Sequence, residues 1–98
     1  MVNLKISIIT VCYNSSKTIR STIESVLSQT YDFIEYIIID GNSTDSTLSI
    51  VNEYSSCIAH LISAPDRGIY DAMKKGLGLA TGGIVGFIIS FCHFKGIL

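Results

Sequence analysis

Asp40 closes the run Tyr36-Ile37-Ile38-Ile39, and Gly41, Asn42, Ser43, Thr44 and Asp45 follow it. A buried strand that stops at a carboxylate and opens into short hydroxyl and amide side chains marks a ligand position. In an open α/β sheet, ligands sit in the crevice outside the carboxyl ends of the strands. A carboxylate there accepts hydrogen bonds from sugar or base donors; in the plainer alternative it only caps the turn. Two more short loops follow apolar runs: Thr10 to Asn14, with Cys12 and Tyr13, and Ala64 to Gly68, with Asp66 and Arg67. A guanidinium such as Arg67 can hold phosphate bidentately, and a ring such as Tyr13 can stack on a base. A helix start after each loop adds backbone N–H groups and a positive dipole end. The three tips together offer acceptors for a base or ribose and donors for a diphosphate. The competing readings are structural: Tyr13 as a partly buried aromatic, Arg67 paired locally with Asp66 or Asp71, and Asp45 as a helix cap. His60 reads as a structural residue of an apolar strand, and His93 has no metal-ligand partner at useful spacing beyond Cys92.

The elements that must position these residues follow from periodicity. Ile6 to Val11 is β-branched and nearly continuous in apolar character, as in a strand buried on both faces. After a polar turn, with Ser15 or Ser16 available as N-cap, Ile19, Ile23, Val26 and Leu27 fall on one helix face. A second strand is expected over about Glu35 to Asp40. Asn42 and Asp45 resemble a capping box that opens a second helix running to about Tyr54. Cys57 to Ser63 reads as a third strand, and the lone proline, Pro65, with Gly68, marks the loop after it. Ile69, Ala72, Met73, Gly76, Leu77 and Ala80 trace a third helix that Gly82-Gly83 stops. Ile84 to Ser90 is the fourth strand. This βαβαβαβ order predicts an α/β fold, a three-layer Rossmann-like parallel sheet with helices on both faces.

Composition narrows the classes. The chain has 98 residues, 48% apolar and only 15% charged, which is rather apolar for a small self-sufficient domain. Seven basic and eight acidic residues give a net charge of −1, so no field draws nucleic acid. Three cysteines, Cys12, Cys57 and Cys92, without a CxxC spacing suggest neither a disulfide framework nor a zinc site, and a reducing cytoplasm fits them. The apolar runs are shorter than the roughly 20 residues that cross a bilayer. A GxGxxG after the first strand and a GxxxxGK[ST] are both missing, which disfavours a dinucleotide-binding domain and a P-loop NTPase. A phospho-receiver domain would need acids after the first strand, where Val11, Cys12 and Tyr13 stand.

Four ordered pieces resemble the inverting family 2 glycosyltransferases of GT-A fold, over about residues 4 to 90. They are Ile6-Ser7-Ile8-Ile9-Thr10-Val11-Cys12-Tyr13-Asn14, Ser25-Val26-Leu27-Ser28-Gln29-Thr30-Tyr31, Ile38-Ile39-Asp40-Gly41-Asn42-Ser43-Thr44-Asp45-Ser46-Thr47, and Pro65-Asp66-Arg67-Gly68-Ile69-Tyr70-Asp71-Ala72-Met73-Lys74-Lys75-Gly76. The last is most similar to bacterial enzymes of surface and capsular polysaccharide assembly. The resemblance implies a nucleotide-diphosphosugar donor, a UDP-sugar foremost, held by residues 1–90. Val11, Cys12, Tyr13, Asn14, Asp40, Asn42, Ser43, Asp66, Arg67 and Gly68 would form the donor nucleotide site. It implies transfer of the sugar to an acceptor hydroxyl with inversion, in the cytoplasm, with peripheral association at the inner face of the cell membrane as a variant.

The chain departs from the family pattern at two places. Lys74 replaces an Asn. More seriously, the family's acids that coordinate Mg²⁺ or Mn²⁺ after the fourth strand correspond to Phe91 and Cys92, and neither side chain suits a hard, oxygen-seeking ion. No metal or catalytic residue is therefore assigned. Residues 91–98 read as a divergent apolar tail, the fold as cut off after about the fourth strand, and the acceptor-binding half as missing. A frameshift or premature stop would produce this pattern. The expectation is an impaired transferase; the alternative is a non-catalytic donor-binding remnant. Such a remnant would dimerise through Phe87, Ile88, Ile89, Phe91 and Phe94, whose exposure would otherwise leave an apolar patch.

Overall fold

The β-branched runs form the sheet and the amphipathic segments cover it. A computed structural model describes residues 4–91. Its elements are β1 (Ile6–Tyr13), α1 (Ile19–Leu27), β2 (Ile34–Asp40), α2 (Thr47–Asn52), a 3₁₀ turn (Ser55–Cys57), β3 (His60–Ser63), α3 (Ile69–Leu79) and β4 (Ile84–Phe91). The four strands make one sheet in the order β3-β2-β1-β4. Every neighbouring pair is parallel.

The register puts the strand ends at one height. Cys12 pairs with Asp40 on one side and Ser90 on the other, and Asp40 pairs with Ser63. The loops after β1, β2 and β3 therefore leave from a common rim. Both faces are covered, as the unbroken apolar runs require. On one face α1 and α2 bring Ile19, Ile23, Val26 and Val51 against Cys12, Tyr36 and Ile38. On the other, α3 brings Ala72 against Ile9, Val11, Ile37 and Ile39.

Several expected boundaries shift. α1 opens at Ile19, with Thr18 at the N-cap, and no side chain caps it. Instead the Ser15 carbonyl accepts from the amides of Thr18 and Ile19, so neither Ser15 nor Ser16 is the N-cap. α2 opens five residues after Asn42 and is short, because the intervening backbone donors are taken by the loop itself. β3 begins at His60 rather than Cys57, the 3₁₀ turn having taken up residues 55–57. His60 lies on an edge strand, its imidazole 42% exposed and 4.0 Å from Glu35, so it is not a core residue.

The far end of the sheet is closed by Glu35. Its Oε1 accepts from Ser7 Oγ at 2.7 Å and from the Thr81 amide at 2.9 Å. These bonds, the Thr81 amide first, hold the carboxyl below the usual carboxylate range. Among the described residues no helix is long and apolar enough to cross a membrane.

Candidate functional site

Asp40 is fully buried at the end of β2. Its Oδ2 accepts from the amides of Asn42 and Ser43 at 3.1 and 2.9 Å, and from Ser63 Oγ at 2.8 Å. Its Oδ1 accepts from Ser43 Oγ at 2.5 Å and lies 3.6 Å from Cys12 Sγ. The amide donors pull the chain into a turn that places Asn42 at φ 70°, in the left-handed region that Asn tolerates. Asp40 thus builds the second loop from within rather than presenting a free oxygen to the outside.

The first loop is tied to the second. Asn14, itself at φ 47°, accepts from the Thr44 amide at 2.7 Å and donates its own amide to Ser43 Oγ at 2.9 Å. The Ser15 amide reaches Thr47 Oγ1, and the Ser16 amide reaches Asp45 Oδ2. Burial raises the Asp45 carboxyl, but the bonds from Thr47 and Ser16 outweigh it and hold it below the usual range. Asp45 is therefore occupied in joining loop one to the head of α2.

The third loop closes the arrangement. Asp66 Oδ1 accepts from the Gly68 amide at 3.1 Å, and Asp71 Oδ2 accepts from the Arg67 amide at 3.0 Å, so both acids hold the loop that leads into α3, while no side chain caps the helix itself. Gly68 sits at φ 117°, a conformation suited to glycine. Asp66 Oδ2, by contrast, is buried with no hydrogen-bond partner among the described residues. It lies 3.0 Å from the position a Cβ on Gly41 would take.

The three tips enclose a cleft of about 450 Å³ lined by Tyr13, Gly41, Asn42, Thr44, Pro65, Asp66 and Gly68. Of the residues singled out from the sequence, Tyr13, Asn42, Asp66 and Gly68 meet there. Asp40, Ser43 and Asn14 stand behind the wall and hold its shape. Val11 and Cys12 direct their side chains into the two cores. Arg67 is an exposed residue beside the cleft and does not line it. Gly41, Thr44 and Pro65 are lining residues that sequence reasoning passed over. Their one signal was membership of the same three loops. Phe91 ends β4, and Cys92 and the tail to Leu98, with Phe94, lie outside the described residues.

The model of Glycosyl transferase family 2 matches residues 7–88, from β1 into β4. The chain belongs to glycosyltransferase family 2. Two curated relatives illustrate the likeness. An uncharacterized glycosyltransferase of Mycobacterium tuberculosis is 36% identical over 92 residues, which is 93% of this chain and 35% of the relative. The Escherichia coli UDP-Glc:alpha-D-GlcNAc-diphosphoundecaprenol beta-1,3-glucosyltransferase WfaP is 41% identical over 86 residues, 87% of this chain and 34% of WfaP. The chain spans about a third of the length of these relatives. Among solved structures, Staphylococcus aureus TarS 1-349 in complex with UDP-GlcNAc superimposes with a TM-score of 0.80 at 29% identity, covering 87% of this chain and 26% of that one. The mannosyltransferase PcManGT of Pyrobaculum calidifontis, solved with GDP-Man and Mn²⁺, gives 0.78 at 27% identity, with 87% and 27% covered. The fold is the GT-A type of these family 2 transferases.

A metal is part of the PcManGT complex, and the family 2 resemblance implies one here. Among the described residues the side chains do not fit it. No three His, Cys, Asp or Glu side chains gather into a cation site among the described residues. Asp66 Oδ2 contributes a single oxygen, whereas Mg²⁺ or Mn²⁺ calls for several hard ligands. Of the two positions expected from the resemblance to hold acids, Phe91 ends β4 and Cys92 falls outside the described residues.

Proposed function

We propose that this chain is the donor-binding part of a family 2 glycosyltransferase. Its donor is a nucleotide-diphosphosugar, a UDP-sugar foremost, and the parent reaction passes the sugar to an acceptor hydroxyl with inversion, in polysaccharide assembly. The observation that carries this reading is the convergence of Tyr13, Asn42, Asp66 and Gly68 on one cleft at the carboxyl ends of the strands. The position agrees with the general rule for open α/β sheets, and the volume is in the range of small-molecule sites. The UDP-glucose donor and lipid-linked sugar acceptor in the name of WfaP, and the UDP-GlcNAc bound by TarS, support the uridine nucleotide and the polysaccharide setting. An aromatic ring and a carboxyl in the lining suit a base; exposed Arg67, between the lining residues Asp66 and Gly68 in the chain, is the candidate for the diphosphate.

The cleft residues bind and orient. Acceptor attack needs a general base, and no residue of this chain is assigned that role. The expected activity of the 98 residues is therefore donor binding, with little transfer and no dependence on Mn²⁺. Calorimetric titration with uridine, guanosine and thymidine diphosphates, each with and without Mn²⁺, tests this. Weak, metal-insensitive uridine diphosphate binding is expected. Silence with every nucleotide, or vigorous Mn²⁺-dependent sugar transfer, would overturn it.

A second reading rests on β4. Ile84, Phe87 and Ile89 are exposed on this edge strand, and an open apolar edge favours pairing with another chain. In that reading the protein is a dimer that binds donor without transferring it. Sedimentation analysis decides, since a monomer at high micromolar concentration is incompatible with it.

A further inference from the structure

The inference concerns the side of β4 next to α3, and it is independent of the donor-site reading. Strand alternation sends Val85, Phe87 and Ile89 to one side of the sheet, and Val85 packs there into the cluster that α3 covers. Phe87 and Ile89 stay exposed on that same side. The helix does not reach over them. It turns Ala72 and Gly76 to the sheet, while Tyr70 is 83% exposed and Leu77 is exposed too. Between helix and strand, Ile69, Tyr70, Met73 and Ile89 line a pocket of about 260 Å³. The result is an apolar trough along the flank of the molecule, and leaving it in water forgoes about 25 cal/mol for each Å².

The chain carries matching side chains just past β4. Residues 92–98 follow Phe91 and include Phe94, Ile97 and Leu98. Direction agrees. β4 climbs to the rim at Phe91, and α3 descends from the rim at Ile69. A chain that turns back after Phe91 therefore meets Ile69, Tyr70 and Ile89 first, then Met73 and Phe87, then Leu77. Reach agrees as well. Phe94 is three residues beyond Phe91, at most about 11 Å of extended chain, and Ile89 lies two residues behind it, about 7 Å down the strand. A segment tethered this closely acts at millimolar effective concentration, which favours it over a free partner.

We propose that residues 92–98 occupy this trough, with Phe94 seated in the pocket and Ile97 and Leu98 over Phe87 and Leu77. The tail then stands in for a partner chain. The apolar side of β4 is covered from within, and the protein stays monomeric instead of pairing through that strand. The seat adjoins the donor cleft, since Gly68 lines the cleft and Ile69 lines the pocket.

The test is NMR of the whole chain with isotope-labelled methionine methyl groups, in a sample that sedimentation shows to be monomeric. Nuclear Overhauser contacts between the Met73 methyl and the Phe94 ring are expected. A second sample mixes labelled with unlabelled chains, so that filtering retains only contacts between copies; none is expected at Met73. Phe94→Ala should abolish the ring contacts and raise the binding of an apolar dye severalfold, with the far-ultraviolet circular dichroism of the wild type. Contacts between copies at Met73 would give the trough to a second chain and overturn the proposal. So would a folded wild type without Met73–Phe94 contacts, or unchanged dye binding by folded Phe94→Ala. Should that variant not fold, the wild-type contacts decide alone.

Discussion

Ser63 Oγ donates to Asp40 Oδ2 at 2.8 Å across a sequence separation of 23 residues. This bond joins the end of β3 to the loop after β2, just where the chain turns toward Asp66. The cleft wall is thus held by a carboxyl that does not face the cleft.

Replacing Asp40 with Ala leaves the Asn42 and Ser43 amides and two serine hydroxyls without their acceptor. A loss of about 3 kcal/mol is expected, since each unanswered buried group costs about 1–3 kcal/mol and some regain water. Urea unfolding measures it. Nucleotide affinity should fall together with the midpoint, because the loop that carries Asn42 and Thr44 loses its fold.

Tyr36 is buried and shares a 2.8 Å hydrogen bond with Thr10. Burial pushes its phenol up to about 12 from an ordinary 10.0, against the smaller opposing effect of that bond. The folded state therefore favours the neutral phenol. This contribution is fully present below the unfolded value and is lost as pH rises toward the folded one. Unfolding free energy should decline in the wild type as pH rises from 10.0 to about 12. In Tyr36→Phe that part of the decline should disappear, and stability at neutral pH should drop by about 1 kcal/mol for the stranded Thr10 hydroxyl.

Gly76 of α3 lies so close to β1 that a Cβ there would come within 2.4 Å of Ile9 Cγ2. Ile9 is fully buried and cannot step aside. Gly76→Ala gains about 1 kcal/mol in helix propensity but forces the helix off the sheet, at a typical cost of about 1–3 kcal/mol. Net destabilisation is expected, read as a lower thermal midpoint. A rise in midpoint would contradict the packing described.

Burial first, and then the charge of Asp40, pushes the Cys12 thiol far above its ordinary range. Thiolates are the reactive form. Iodoacetamide at pH 8 should leave Cys12 unmodified in the native protein and modify exposed Cys57; mass spectrometry of peptides reads both sites. Labelling of Cys12 should appear only with denaturant.

The sheet was legible because Ile6 to Val11 and Tyr36 to Ile39 have no reading other than strands buried on both sides. α3 was legible from the apolar spacing of Ile69 to Ala80. The head of α2 was not. Asn42 and Asp45 have the composition of a capping box, but Asp40 captures the Asn42 and Ser43 amides first, and Asp45 turns to Thr47 and Ser16. The roles within the site were hidden for a similar reason. Asp40 and Asp66 look alike in sequence, each an acid after a strand. Only the hydrogen bonds from Ser43 and Ser63 show that the first is spent internally. The space at Gly41 depends on a residue 25 positions away in the chain, and spacing carries no trace of it.

The Glu35 clasp on Ser7 and Thr81 and the Asp40 hub stand at opposite ends of β2, about 17 Å apart at strand rise. Changes separated by that much, with no shared partners, usually combine additively. The protein therefore has two independent dials. Stability can be raised or lowered by resculpting the Glu35 clasp without disturbing the proposed donor cleft at the opposite rim, and directed evolution could treat the two ends as separate libraries.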